Sequence, residues 1–95
     1  MTEAQELEIL NDTLYHFGYN HQATKCIEEM SELTKELCKE KDGQGNLEHI
    51  AEEIADTLIT IDQMIIYHDI YDKVAQYREM KMERLRHKIF MEQYG

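Results

Sequence analysis

The chain has 95 residues, of which 20 are acidic and 10 basic, giving a formal net charge of -10 at pH 7. That length supports one domain with a modest core, residues 1–95, and the acidic excess argues against nucleic-acid polymers and anionic membranes as partners. No apolar run is long enough to span a bilayer, and no charged n-region with an apolar h-region opens the chain, so a cytoplasmic protein is expected.

Proline is absent, only four glycines occur, and period-two alternation is missing. The pattern predicts an all-α chain of four helices, broken where Gly, Asn and Asp gather. The first helix runs from Thr2 or Glu3 to about His16, with Thr2 and Gln5 as a capping box. Leu7, Leu10, Leu14 and Phe17 form its apolar stripe, and Gly18 ends it. The second starts near Asn20 as N-cap and ends around Lys41. Ala23, Ile27, Met30, Leu33, Thr34 and Leu37 are its expected buried face. Lys39 and Lys41 suit its C-terminal end, and residues 42–46 make a short turn.

The third helix begins after Asn46 and runs to about His68. Leu47, Ile50, Ile54, Leu58, Ile61 and Ile65 form one stripe, while Ala55, Ile59 and Ile66 widen the apolar arc past half the circumference. Such a helix is buried on two sides, and in so short a chain the second side is expected to meet another subunit. The fourth helix runs from about Tyr71 to Gln93 with Asp69 as cap. It packs through Val74, Tyr77, Met80 or Met82, Leu85, Ile89 and Phe90, and carries Arg78, Lys81, Arg84, Arg86 and Lys88. The expected architecture is an oligomeric helical bundle.

Cys26 and Cys38 stand roughly 18 Å apart if both lie on one helix. They cannot pair there, and free thiols of a reducing compartment are the expectation.

Two acidic clusters carry the chemistry: Glu28-Glu29-Met30-Ser31-Glu32 and Glu52-Glu53-Ile54-Ala55-Asp56. Each holds carboxylates at i, i+3, on the same side of a helix. If the second and third helices form an antiparallel hairpin about Gly43 and Gln44, Glu29 and Glu32 differ in height from Glu53 and Asp56 by only about 3 Å. Converging carboxylates repel, and a hard divalent cation bound by oxygens offsets that cost. The alternative is a solvated acidic face, since Lys25, Glu28, Glu29, Glu32 and Glu36 lie largely opposite the apolar stripe of their helix. The five histidines show no close pair, and a zinc site is not expected.

The pattern Glu-Glu-x-x-Glu followed by Glu-x-x-Asp resembles the signature of the MazG-like, all-α nucleoside triphosphate pyrophosphohydrolases. Gln22 and Lys25 before the first cluster, Leu33 after it, Leu58-Ile59 after the second, and Lys81-Met82-Glu83-Arg84-Leu85 on the last helix are also similar. The likeness spans about Phe17 to Ile89. It implies cleavage of a (deoxy)nucleoside triphosphate to a monophosphate and pyrophosphate, dependence on Mg²⁺ (with Mn²⁺ as substitute), and a homodimer or homotetramer.

By matched position, the resemblance implies Glu29, Glu32, Glu53 and Asp56 as metal ligands, with Glu28 either supporting those ligands from behind or orienting the attacking water. Phosphoryl chemistry needs further cations, and Lys25, Lys81 and Arg84 are the candidates, with Gln22 and His21 as further substrate contacts. The segment His16–His21 can stack a base or simply pack as a helix turn. His49 occupies the region before the second cluster where the family often has a basic or amide residue. The rival readings are a phosphoribosyl-ATP pyrophosphatase-like enzyme and a non-catalytic helical dimer docking a basic partner.

Overall fold

The computed structural model describes residues Met1–Gly95 and consists of four helices with no strand: α1 (Glu3–Phe17), α2 (Tyr19–Lys41), α3 (Leu47–His68) and α4 (Tyr71–Tyr94). The α1 capping box is formed, with Thr2 Oγ1 accepting from Gln5 N at 3.1 Å and Gln5 Oε1 accepting from Thr2 N at 2.8 Å. Gly18 alone separates α1 from α2, at φ 86°, ψ 164°, a region open essentially only to glycine. Its N–H closes α1 on Leu14 O, and its carbonyl accepts from Gln22 N to start α2. The expected N-cap Asn20 therefore lies inside the first turn of α2.

Asn46 caps α3 as its sequence suggests, its side-chain oxygen accepting from Glu48 N and His49 N. Asp69 does not cap α4. It takes a left-handed conformation, φ 52°, at the end of α3, where Ile70 N donates to Ile65 O and Asp69 N to Ile66 O. This closes the carbonyls of α3, and Asp is one of the few non-glycine residues suited to that geometry.

α2 and α3 form the antiparallel hairpin; α1 packs on both, and α4 packs on α3 alone. The seam of the hairpin is polar. The buried residues are Gln22, Cys26 and Glu36 on α2 and Thr57, Thr60 and Gln63 on α3. Of the expected apolar stripes, Leu33 shares the α3-facing side of α2, and Ala23, Ile50, Ile61 and Ile65 are half-buried; other members turn away. At 100° per residue, Ile27, Met30 and Leu37 on α2 and Leu47, Ile54 and Leu58 on α3 sit between roughly 60° and 155° round from the seam. Because the helices are antiparallel, both sets fall on the same side of the hairpin. All six are exposed. α1 covers the other side, where Ile59 faces Ile9 and Leu10. The sequence expectation for Ile59 was another subunit; in the structure it faces α1 of its own chain.

The chain exposes 8026 Å², whereas a folded monomer of 11.4 kDa is expected to expose about 5,800 Å². Its radius of gyration is 16.8 Å, against about 12.4 Å for a compact domain of this length. No residue of α4 is buried. Both Cys26 (buried) and Cys38 (exposed) are free. No helix is long and apolar enough to cross a membrane.

Candidate functional site

Residues Gln22, Cys26, Glu29, Leu33 and Glu36 follow one another at steps of four and three along α2. They therefore share the face turned to α3. Glu53, Thr57, Thr60 and Gln63 repeat the device on α3. Thr57 ties the two helices at the level of the acidic residues, its Oγ1 donating to Glu29 O at 3.2 Å. Thr60 Oγ1 donates to Thr57 O at 2.9 Å. The Thr57 bond crosses from α3 to α2 and holds the two helices at matched height, while the Thr60 bond stays within α3.

The structure brings three of the five expected carboxylates together. One oxygen each from Glu29, Glu53 and Asp56 lies within 4.8 Å of the others, and all three residues are partly buried. Glu53 is the most constrained: its Oε2 is buried and has no hydrogen-bond partner. Burial first, then its hydrogen bond to Glu29 and the charges of Glu29, Asp56 and Glu32, push the Glu53 carboxyl above its ordinary value. An orphaned, desolvated oxygen between two other carboxylates is a costly arrangement. It can be relieved by a proton or by a cation shared among the three.

Glu32 stands beyond that trio and is exposed, close enough for its charge to act on Glu53. Glu28 is exposed as well. Lys25 Nζ bridges the edge of the cluster, 3.4 Å from Glu29 Oε1 and 4.0 Å from Glu28 Oε2.

A cavity of about 200 Å³ opens beside the cluster, between α1 and the hairpin. Ile9, Leu10 and Ile59 form its apolar wall; Gln22, Gln63, Thr13, Thr60 and Lys25 line the rest, and Glu29 and Asp56 lie at its acidic end. Gln22 and Gln63 are hydrogen-bonded to each other, Gln22 Nε2 donating to Gln63 Oε1 at 2.8 Å. His21 Nδ1 lies 2.7 Å from Gln22 Oε1. The aromatic segment is occupied with itself: Phe17 stacks on His21 at 4.8 Å and meets His16 edge-on at 4.6 Å.

Lys81 and Arg84 lie on α4. They line neither this cavity nor an ion pair with the cluster, so the single chain does not bring them to it. His49 stands 3.9 Å from Glu36 Oε2 rather than at the trio.

Several residues were not singled out by the sequence reading. Glu36, assigned there to a solvated face, is buried in the seam, with Lys39 Nζ at 3.5 Å from Oε1 and an unpartnered Oε2. Gln63, Thr57 and Thr60 are buried although polar, so an apolar stripe does not mark this inward face. The available signal was the spacing: Glu36 is seven residues after Glu29, and Thr60 seven after Glu53, each one heptad further along the same face. The α1 wall of the cavity carried no chemical signal at all. Comparison with protein families, curated proteins and solved structures finds no match to this chain.

Proposed function

We propose that this protein is a Mg²⁺-dependent nucleoside triphosphate pyrophosphohydrolase, releasing a nucleoside monophosphate and pyrophosphate, and that it works as a homodimer or higher homo-oligomer. The observation that carries the reading is the convergence of Glu29, Glu53 and Asp56, together with the buried, unpartnered Oε2 of Glu53. Glu29, Glu53 and Asp56 would hold the ion, since hard oxygen donors are the ligands Mg²⁺ takes. Held there, Mg²⁺ would neutralise charge on the substrate phosphates and leave positions for water.

The chain's own residues divide the remaining work. Lys25, on the boundary between cluster and cavity, would supply the cation that binds a phosphate oxygen. Glu28, outside the trio and in contact with solvent, is free to orient the attacking water and accept its proton. Glu32, exposed at the rim with its charge acting on Glu53, would supply a further carboxylate to a bound cation. The cavity between α1 and the hairpin accepts the nucleoside end, its apolar wall against the ring and its polar residues around the edge.

Assembly belongs to the same reading. The surface in excess of a compact monomer, about 2,200 Å², is of the size that obligate interfaces bury. The apolar flank of α2 and α3 is where a second copy fits. Lys81 and Arg84, on α4, would reach a cluster from the neighbouring copy.

Phosphorus NMR of nucleoside triphosphates incubated with the protein and Mg²⁺ tests the proposal. Pyrophosphate and monophosphate signals are expected, and they should vanish in Glu53→Gln while helicity is retained. Orthophosphate and diphosphate as products, or no turnover of any nucleotide, would overturn it.

A further inference from the structure

α4 is 24 residues long and buries none of them. Helices in folded proteins are held mainly by the packing of an apolar face rather than by propensity. α4 has such a face. At 100° per residue, Val74, Met82, Leu85 and Ile89 lie within about 80° of one another, and they are 40–55 % exposed. Lys81, Arg84 and Lys88 form a basic row along one border of that stripe. The chain does not cover it. α4 packs on α3 alone, and the two-residue link fixes the direction in which it leaves: Asp69 is left-handed, and Asp69 N and Ile70 N are both bonded back into α3.

The hairpin carries a matching surface. Its flank, with Met30 and Leu37 on α2 and Ile54 and Leu58 on α3, is exposed as well. Charge divides in the same way. α4 holds six basic and four acidic residues, net +2, so the rest of the chain sums to -12 against a total of -10. Two copies of net charge -10 repel each other. Contact is least opposed where the cationic helix of one meets the acidic body of the other.

We propose that α4 is an exchanged arm: it lies across the hairpin flank of a second copy of this chain, whose own α4 returns the contact. Copies paired flank to flank would leave α4 bare, and copies paired through α4 would leave the flank bare. Exchange covers both surfaces within one two-fold arrangement. The excess surface of about 2,200 Å² per chain becomes about 4,400 Å² over two copies, within the range of obligate interfaces, about 2,000–5,000 Å². The inference rests on the homodimer reading and deepens it by naming the segments that meet. It does not depend on the hydrolase chemistry.

The test uses the full chain. Leu85→Glu disables the arm and Leu58→Glu disables the flank; neither residue lines the cavity beside the carboxylates. Each variant by itself is expected to lose the two-chain mass in light scattering at micromolar protein, with association weakened on the order of 10⁴-fold because both contacts of the dimer carry the change. An equimolar mixture of the two should regain that mass in part. In the mixed dimer, the intact arm of the Leu58→Glu chain meets the intact flank of the Leu85→Glu chain. Should the single variants unfold, the mixture should regain helical circular dichroism. A second measurement needs no variant. Unlabelled and isotope-labelled wild-type chains are mixed, dissociated, re-formed and treated with a carbodiimide, which joins a lysine amine to a carboxylate. Links from Lys81 or Lys88 to residues 1–70 are expected to join chains of different label.

Such links confined to one label, a dimer that survives Leu85→Glu, or no recovery on mixing overturns the exchanged arm and leaves the homodimer standing. A wild-type chain that is monomeric at micromolar concentration overturns both. Pyrophosphate release, read separately, decides the hydrolase.

Discussion

Leu58→Glu tests whether the apolar flank of the hairpin is an interface between copies. Leu58 is 54 % exposed in the single chain and lies on the side of α3 away from the cavity, so the change leaves the site untouched. Full burial of a leucine side chain yields about 1.5–3 kcal/mol. Half is already covered, so contact with a second copy adds about 1 kcal/mol. A carboxylate in its place loses that gain and carries a desolvation cost of several kcal/mol for an unpaired ion. Taking about 3 kcal/mol per copy, and two copies at a two-fold interface, the change is about 6 kcal/mol, or ~10⁴-fold in association. Gel filtration with light scattering at micromolar protein should show the wild type at a multiple of 11.4 kDa. The variant should run at the single-chain mass or lose helical circular dichroism. A wild-type protein that is monomeric and melts cooperatively, or a variant of unchanged mass and Tm, refutes the assignment of that flank.

Two other perturbations follow from local geometry. Gly18→Ala places a Cβ in open space, with nothing within 4 Å, so its cost is backbone strain alone, about 1–3 kcal/mol. Tm should fall by about 4–8 °C for each kcal/mol in a chain of this size, and an unchanged Tm would contradict the helix junction described. Glu53 titrates above its ordinary value of 4.5 in the folded chain, so the folded state holds that proton more tightly than the unfolded one. Its stabilising contribution is fully present below pH 4.5 and is lost as pH rises through the folded pKa. Without divalent cation, the Tm of the wild type relative to Glu53→Gln should therefore fall between acid and neutral pH. A relative Tm that rises over that range would show that the carboxyl is not raised.

The sequence carried the helices well and their mutual faces poorly. Thr2, Gly18 and Asn46 marked boundaries because caps and positive-φ turns depend on one or two neighbouring residues. Asp69 and Asn20 misled because the same residue types serve either end of adjacent helices, and the short connections let one residue finish a helix where the next begins. The level of Glu29 against Glu53 and Asp56 followed from helical rise and hairpin symmetry, quantities that depend on residue counts alone. The seam was misplaced because the inward face of a single chain was assumed to be apolar. Here Gln22, Thr57, Thr60 and Gln63 pack within the chain, and Ile54 and Leu58 are left outside it. Periodicity locates a stripe but does not say which partner the stripe meets. The cavity was invisible for a related reason: Ile9, Leu10 and Thr13 acquire meaning only from the way α1 lies across the hairpin.

The central claim is that Glu29, Glu53 and Asp56 form one cation site. Isothermal titration of the protein with Mn²⁺, followed by competition with Mg²⁺, measures it without assuming any substrate. The account predicts saturable binding that Mg²⁺ displaces and that Glu53→Gln abolishes with its helices intact. Absence of binding by the wild type, or equal binding by Glu53→Gln, would contradict it.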